Sequence, residues 1–184
     1  MTVTPDMLGV DQKIRDMLWP FDFAPVDNTS HGPVWMDTAP LAPFEVVGQR
    51  GSGCVFALVG PQRHVLLLTS EGQAGIVAAS LQEWFELLVA HPYWEQIAAR
   101  SEGDLVSMRK ILEDEGEDFE ATMLDDNPEI EDFRPVLRSR LGLGIPEDPC
   151  GLLHRALTVI EARATLRDLD GQEMEPLFGE RRWR

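Results

Sequence analysis

The sequence predicts an α+β fold, a mostly antiparallel sheet packed against several helices, and three observations point to it. Two apolar runs, 54–59 and 64–69, flank a Gly60-Pro61 turn, the spacing of neighbouring antiparallel strands. The second run holds Val65-Leu66-Leu67-Leu68 without alternation, which is the pattern of a strand buried on both faces at the centre of a sheet. Ser80 then opens a Ser-x-x-Glu capping box, and Leu81, Trp84, Phe85, Leu88 and Val89 follow at helical spacing. At 184 residues the chain is sized for a single domain that removes about 70% of its unfolded surface from water.

Within that domain the expected order is an N-terminal helix and proline-rich strap (1–43), the sheet core (44–80), a mainly helical stretch (81–162), and a terminal hairpin with a basic tail (163–184). Residues 11–18 read as a short helix with Ile14, Met17 and Leu18 on one side, ended by Pro20. From 20 to 43 there are five prolines and an Asn28-Thr29-Ser30 triplet but little periodicity. Trp19, Phe21, Phe23 and Trp35 supply bulk there, so the segment reads as a strap laid on the body rather than a free linker. Residues 44–47 form the first expected strand, 48–53 a glycine-rich turn, and 54–59 and 64–69 the next two strands.

Ser70-Glu71-Gly72 turns the chain into Ile76-Val77-Ala78-Ala79 and the capped helix, which His91-Pro92 terminates. Two further helices are expected, 94–99 and 105–112, the latter capped by Asp104. From 113 to 132 eleven of twenty residues are Asp or Glu and none is Lys or Arg. Such a block repels itself, so it reads as an exposed loop or frayed helix end, with Phe119, Met123 and Leu124 as anchors. Asn127-Pro128 and Asp148-Pro149 each read as an N-cap followed by proline at the first helical position, with Pro135 positioned to divide or reset the first of these helices. Residues 164–168, a turn at Asp170-Gly171, and 173–178 read as a terminal hairpin.

Thirty-two carboxylates against sixteen Lys and Arg give a net charge of -16, a field that repels phosphate backbones and anionic membranes. Neither nucleic acid nor membrane is therefore an expected partner. The surplus itself serves solubility, attraction of a basic partner, or both. Only Lys13 and Lys110 are lysines, a bias that reads as genomic rather than mechanistic. The opening residues lack the basic and apolar regions of a secretory signal, and no apolar run reaches the roughly 18 residues of a membrane span. A soluble, cytoplasmic protein is expected. Cys54 and Cys150 form no Cys-x-x-Cys pair and are expected as reduced thiols.

Reaction chemistry finds little purchase in the residue pattern. His31, His64, His91 and His154 occur singly, without metal-ligand spacing, so neither a metal nor any other cofactor is expected. Asp168-x-Asp170-Gly171 is faintly similar to a calcium loop, but Leu166 and Leu177 occupy its first and last ligand positions, leaving a hairpin turn. The glycines of 48–53 match neither a dinucleotide fingerprint nor a phosphate-binding loop, although Arg50 beside them keeps a small anion site open. Ser52 and Ser70 lie in glycine-containing turns without a nucleophile elbow. Trp84, Phe85, Tyr93 and Trp94 read as core, with an interface or pocket lining as the alternative.

The order Gly51-Ser52-Gly53, Phe56-Ala57-Leu58, Val65 to Ser70, Glu71-Gly72, Ile76-Val77-Ala78-Ala79-Ser80-Leu81 and then Trp84-Phe85 resembles the SUKH superfamily of bacterial immunity proteins and a related fungal cell-wall-synthesis regulator. The resemblance covers about a quarter of the chain and rests mainly on turns and burial. The chain departs from the family's commoner form at its start, where Trp19-Pro20 and the strap stand in place of an early helix with a Leu-Pro signal, so it resembles a divergent branch. The resemblance implies a curved sheet packed on helices and a non-enzymatic role: binding and neutralising a basic, nucleic-acid-targeting toxin. On that reading Asp114, Glu115, Glu117, Asp118, Asp125 and Asp126 are the candidate partner-binding residues, with a merely solvated loop as the alternative. A regulatory or scaffold protein of the same fold is the second expectation. A small-molecule or hydrolytic domain using the turns at 51–53 and 70–72 is the third.

Overall fold

The structure is a computed structural model that describes residues 2–26, 37, 39–160 and 167–178. It is of the α+β class: seven helices and a six-stranded, mostly antiparallel sheet that does not close on itself. The chain begins with helices α1 (Pro5–Val10) and α2 (Gln12–Leu18). Asp11 caps α2 by accepting from the Lys13 amide, and Ile14, Met17 and Leu18 are buried as their spacing predicts. α1 is additional, starting with Pro5 in the first helical turn, where a missing amide costs nothing.

A 3-10 turn, Trp19–Phe21, swings the chain into strand β1 (Ala24–Pro25), which pairs with β2 (Phe44–Gln49). β3 (Val55–Val59), β4 (His64–Leu68) and β5 (Gln73–Ala78) continue the antiparallel meander, each strand beside the next. β5 is a strand where the sequence showed only an apolar lead-in to the helix cap. Val65, Leu66, Leu67 and Leu68 are all fully buried. Phe56, Leu58, Val65, Leu67 and Val77 face the helices, whereas Ala57, Val59, Leu66, Leu68 and Ile76 face a second apolar layer containing Leu41, Ala156 and Met174.

Four helices follow in succession: α3 (Leu81–Ala90), α4 (Trp94–Ser101), α5 (Leu105–Asp126) and α6 (Ile130–Leu141). Ser80 caps α3 by accepting from the Glu83 amide at 3.2 Å, while the Glu83 carboxylate reaches the Ala79 amide at 3.4 Å, one residue outside the expected box. Leu81, Trp84, Phe85, Leu88 and Val89 are buried as expected. A chain of ring contacts then crosses the interior: Phe85 on Phe23 (5.0 Å), Phe23 on Phe56 (5.2 Å), Phe56 on Trp84 (5.0 Å) and Trp84 on Trp94 (5.2 Å).

The acidic block requires a correction. It is neither loop nor frayed end: α5 runs unbroken through it to Asp126. Leu105, Met108, Leu112, Gly116, Phe119 and Met123 recur at three- and four-residue steps, and this stripe docks the helix onto α4 and α7 (Pro149–Arg155). Apolar anchoring outweighs the repulsion, which ion pairs to Lys110, Arg100 and Arg134 reduce further. Asn127 accordingly closes α5, its amide donating to the Met123 carbonyl, instead of capping α6. α6 begins two residues after Pro128, and Pro135 sits inside it without dividing it.

Asp148 caps α7 as predicted, accepting from the Gly151 amide. The helix then widens into a π-helical turn over Ala156–Ile160. The terminal hairpin is reduced to an Arg167–Glu173 bridge around a turn held by Asp168. Beyond it the chain does something hairpin logic misses: β6 (Glu175–Pro176) joins the main sheet, parallel to β5. Trp35, His31, the 28–30 triplet, residues 164–166 and the basic tail lie outside the described residues.

Phe23 reaches the sheet because Gly48 lets it. β2 carries one extra residue, Val47, in its ladder with β3, and at the adjoining Gly48 a Cβ would lie only 2.3 Å from the Phe23 ring. Gly48→Ala is expected to lower unfolding free energy by about 1–3 kcal/mol in a urea titration. Gly51→Ala, where an added Cβ meets nothing within 4 Å, is expected to leave the midpoint nearly unchanged. Equal effects at the two positions would refute the packing account.

Candidate functional site

α5 carries all six carboxylates singled out from the sequence. Asp114, Glu117, Asp118 and Asp125 fall on one side of the helix by their spacing, and all four are exposed. Asp114 is paired with Lys110 one turn earlier, and Glu115 with Arg100 on α4. Glu117, Asp118, Asp125 and Asp126 have no basic partner among the described residues. A regular helix thus holds in a fixed strip what a loop would have dispersed. Exposed pairs such as Lys110–Asp114 contribute little to stability, so the strip is defined by its field more than by its bonds.

Beside this strip an open groove of about 520 Å³ runs between the end of α3, α5 and α6. Leu112, Gly116, Ala121 and Leu124 line its α5 side, Ala90 and Tyr93 the opposite side. Glu117 stands where groove and acidic strip meet, so the two form one continuous surface. Gly116 is buried within a helix, where glycine costs about 0.5–1 kcal/mol relative to alanine.

One end of the groove is closed by Arg134 on α6. Its Nη2 donates to Glu120 Oε2 at 2.9 Å, Nη1 donates to the other carboxylate oxygen, and Nε donates to the Val89 carbonyl at 3.0 Å. His91, which caps the end of α3, shares a 3.1 Å hydrogen bond between Nδ1 and the Tyr93 hydroxyl. Burial pushes the His91 imidazolium below its usual range, and the Arg134 charge adds to the effect. Burial likewise raises Tyr93, helped by Glu120. The groove therefore presents the Tyr93 side chain and a compensated Arg–Glu pair, with His91 behind Tyr93, and its acid without a basic partner among the described residues is that of α5.

The other motifs have structural occupations. Gly51 to Gly53 close the β2–β3 hairpin, with the Arg50 amide donating to the Cys54 carbonyl at 2.9 Å and Gly53 in the left-handed region at φ +88°. Arg50 turns inward: its side chain is 8% exposed, its Nη1 is 2.7 Å from Glu95, its Nε is 3.4 Å from Asp22, and its guanidinium lies over the Phe56 and Trp94 rings. The protein's own carboxylates thus occupy the position an anion would take. Ser52 donates to the Cys54 sulfur, and Ser70 donates to Glu71, whose carboxyl that bond holds below its usual range and so makes a weak base. Trp84, Phe85, Tyr93 and Trp94 are all buried, and only Tyr93 also borders the groove.

Cys54 and Cys150 are buried free thiols, and burial pushes the Cys150 thiol above its usual pKa, which disfavours its reactive thiolate. Among the described residues no group of three or more His, Cys, Asp or Glu side chains could hold a metal ion, and no helix is long and apolar enough to cross a membrane. No protein-family model, curated protein or solved structure matches the chain.

Sequence reasoning found the carboxylates but not the groove. Arg134 lies about forty residues from the His91–Tyr93 pair, and nothing in their spacing signals that they meet. Gly116 was detectable, since it continues the stripe of Leu105, Met108 and Leu112 at a position where a larger side chain would be expected.

Because His91 is held neutral in the fold, the unfolded chain takes up a proton first as pH falls through its ordinary value of 6.5, and stability drops from there toward the lower folded pKa. Unfolding free energies measured between about pH 7.5 and 5.5 are expected to fall more steeply for the native chain than for His91→Gln. Parallel slopes would assign the pH dependence to other groups.

Proposed function

We propose that the protein is an immunity protein of SUKH-like fold that binds and neutralises a basic bacterial toxin in the cytoplasm, with no catalysis of its own. The observation that carries this reading is the acidic face of α5, where Glu117, Asp118 and Asp125 stand on one helix without a basic partner among the described residues. A fixed, single-signed strip on a chain of net charge -16 accelerates encounter with a cationic partner and repels anionic ones. The meander followed by a Ser-capped, aromatic-bearing helix is also what the resemblance to the superfamily implies. A toxin that acts on nucleic acid, as the resemblance implies, would be basic and so attracted by the field that repels nucleic acid itself.

Co-expression with the toxin encoded beside its gene is expected to protect cells, and the two proteins are expected to co-purify at fixed stoichiometry. No protection and no complex would overturn the reading and leave the regulatory or scaffold role of the same fold. Replacing Glu117, Asp118 and Asp125 with lysine is expected to slow association by about tenfold or more at low ionic strength and to flatten its salt dependence. Unchanged association kinetics would confine the strip to solubility.

A further inference from the structure

The groove beside the acidic strip has a buried glycine, Gly116, in its lining. At Gly116 the backbone is ordinary helix, and the atoms nearest an added Cβ would be Leu112 Cδ1 at 3.1 Å, its Cγ at 3.9 Å and the Tyr93 hydroxyl at 3.9 Å. Alanine would fit after a shift of a few tenths of an ångström in a flexible leucine tip, and it would strengthen the helix. The depth there is bounded by Leu112, Tyr93 and Leu124, which leave an apolar floor.

Charge decides what the depth suits. Arg134, the cation at the groove, is already held by Glu120 and the Val89 carbonyl, whereas Glu117 on the lip and Asp118 and Asp125 alongside have no partner among the described residues. An anionic guest would meet uncompensated like charge. An apolar side chain flanked by Lys or Arg would meet the apolar floor and the acidic lip together.

We infer that the groove seats an apolar anchor residue of a cationic amphipathic segment in the protein partner, with Leu112, Tyr93 and Leu124 forming its seat and Glu117, Asp118 and Asp125 engaging the flanking cations. The inference rests on the reading of the protein as a binder of a basic partner and assigns that binding to a defined cleft. It divides the labour: the strip governs the rate of encounter, and the groove governs how long the complex lasts.

The probe is a short leucine–lysine peptide with its leucines at i, i+3, i+4 and i+7, compared with a serine–lysine peptide of equal length and charge. Titration of the full-length protein is expected to show the leucine peptide binding about tenfold or more tighter. Backbone amide shifts are expected to centre on Gly116, Ala121 and Leu124. Gly116→Leu, which fills the floor, and Ala121→Gln, which adds bulk at an exposed helical position that tolerates it, are each expected to weaken that binding about tenfold while retaining the native circular dichroism. Equal binding of the two peptides, shifts confined to the outer face of α5, or an Ala121→Gln variant that binds as the native chain does would overturn the inference. Failure here is separable from failure of the functional reading. A toxin complex that forms unaltered with Ala121→Gln removes the groove and keeps the immunity role, whereas groove binding of the peptide without toxin protection does the reverse.

Discussion

Strand β4 has no polar face, and that constraint organises the molecule. Four consecutive side chains, Val65 to Leu68, point alternately to opposite sides of the sheet and are all fully buried, so each side needs its own cover. Each such side chain contributes on the order of 1.5–3 kcal/mol by leaving water, which is enough to draw in distant parts of the chain. α3 and its aromatic residues cover one side. Leu41, Ala156 and Met174, from three separate segments, contribute to the cover of the other. A sheet of this kind cannot be completed by its own meander, which explains why the chain wraps it from both directions.

The N-terminal region is fastened by packing and electrostatics at neighbouring points. Phe23 fits over Gly48 and touches both Phe56 and Phe85, so one side chain joins strap, sheet and helix. Close by, Arg50 draws in Asp22 from the strap and Glu95 from α4 while its guanidinium lies on Phe56 and Trp94. The partners are partly exposed, so the pair avoids the full cost of burying charge, and the aromatic faces stabilise the cation where water is excluded. The candidate surface lies on α5, whose main packing partners are α4 and α7 rather than the strands and which adds its own apolar stripe to the core. That separation lets α5 carry a dense charge without polar groups intruding on the sheet.

The meander and the capped helix were readable because local signals agree there: turn glycines, an unalternating apolar run and a Ser-x-x-Glu start all point the same way. Over 113–132 two signals conflict. Composition argues for a solvated loop, whereas Leu112, Gly116, Phe119 and Met123 keep helical period, and the structure follows the period because those residues have neighbours to bury against. Pro128 and Pro135 misled in the same way, since proline rules describe an isolated helix and say little of what packing tolerates. The carboxylates of the candidate site could be picked out from charge alone. The groove could not, because it arises where Tyr93, Leu112 and Arg134 converge, and such convergence is a property of tertiary packing. β6 was hidden for a related reason: two residues carry too little pattern to declare a strand, and its pairing partner is about a hundred positions away in the sequence.

That parallel pairing of β6 with β5 bears on how the protein is made. Synthesis releases the five-strand meander long before residues 175 and 176 emerge, and during that interval the outer edge of β5 is unpaired at Gln73 and Ala74, where β6 later joins. An unpaired edge pairs readily with another chain. The late segment is therefore a guard on the nascent sheet as well as its last strand, and the period of greatest exposure to misassembly ends only when the C-terminal residues arrive.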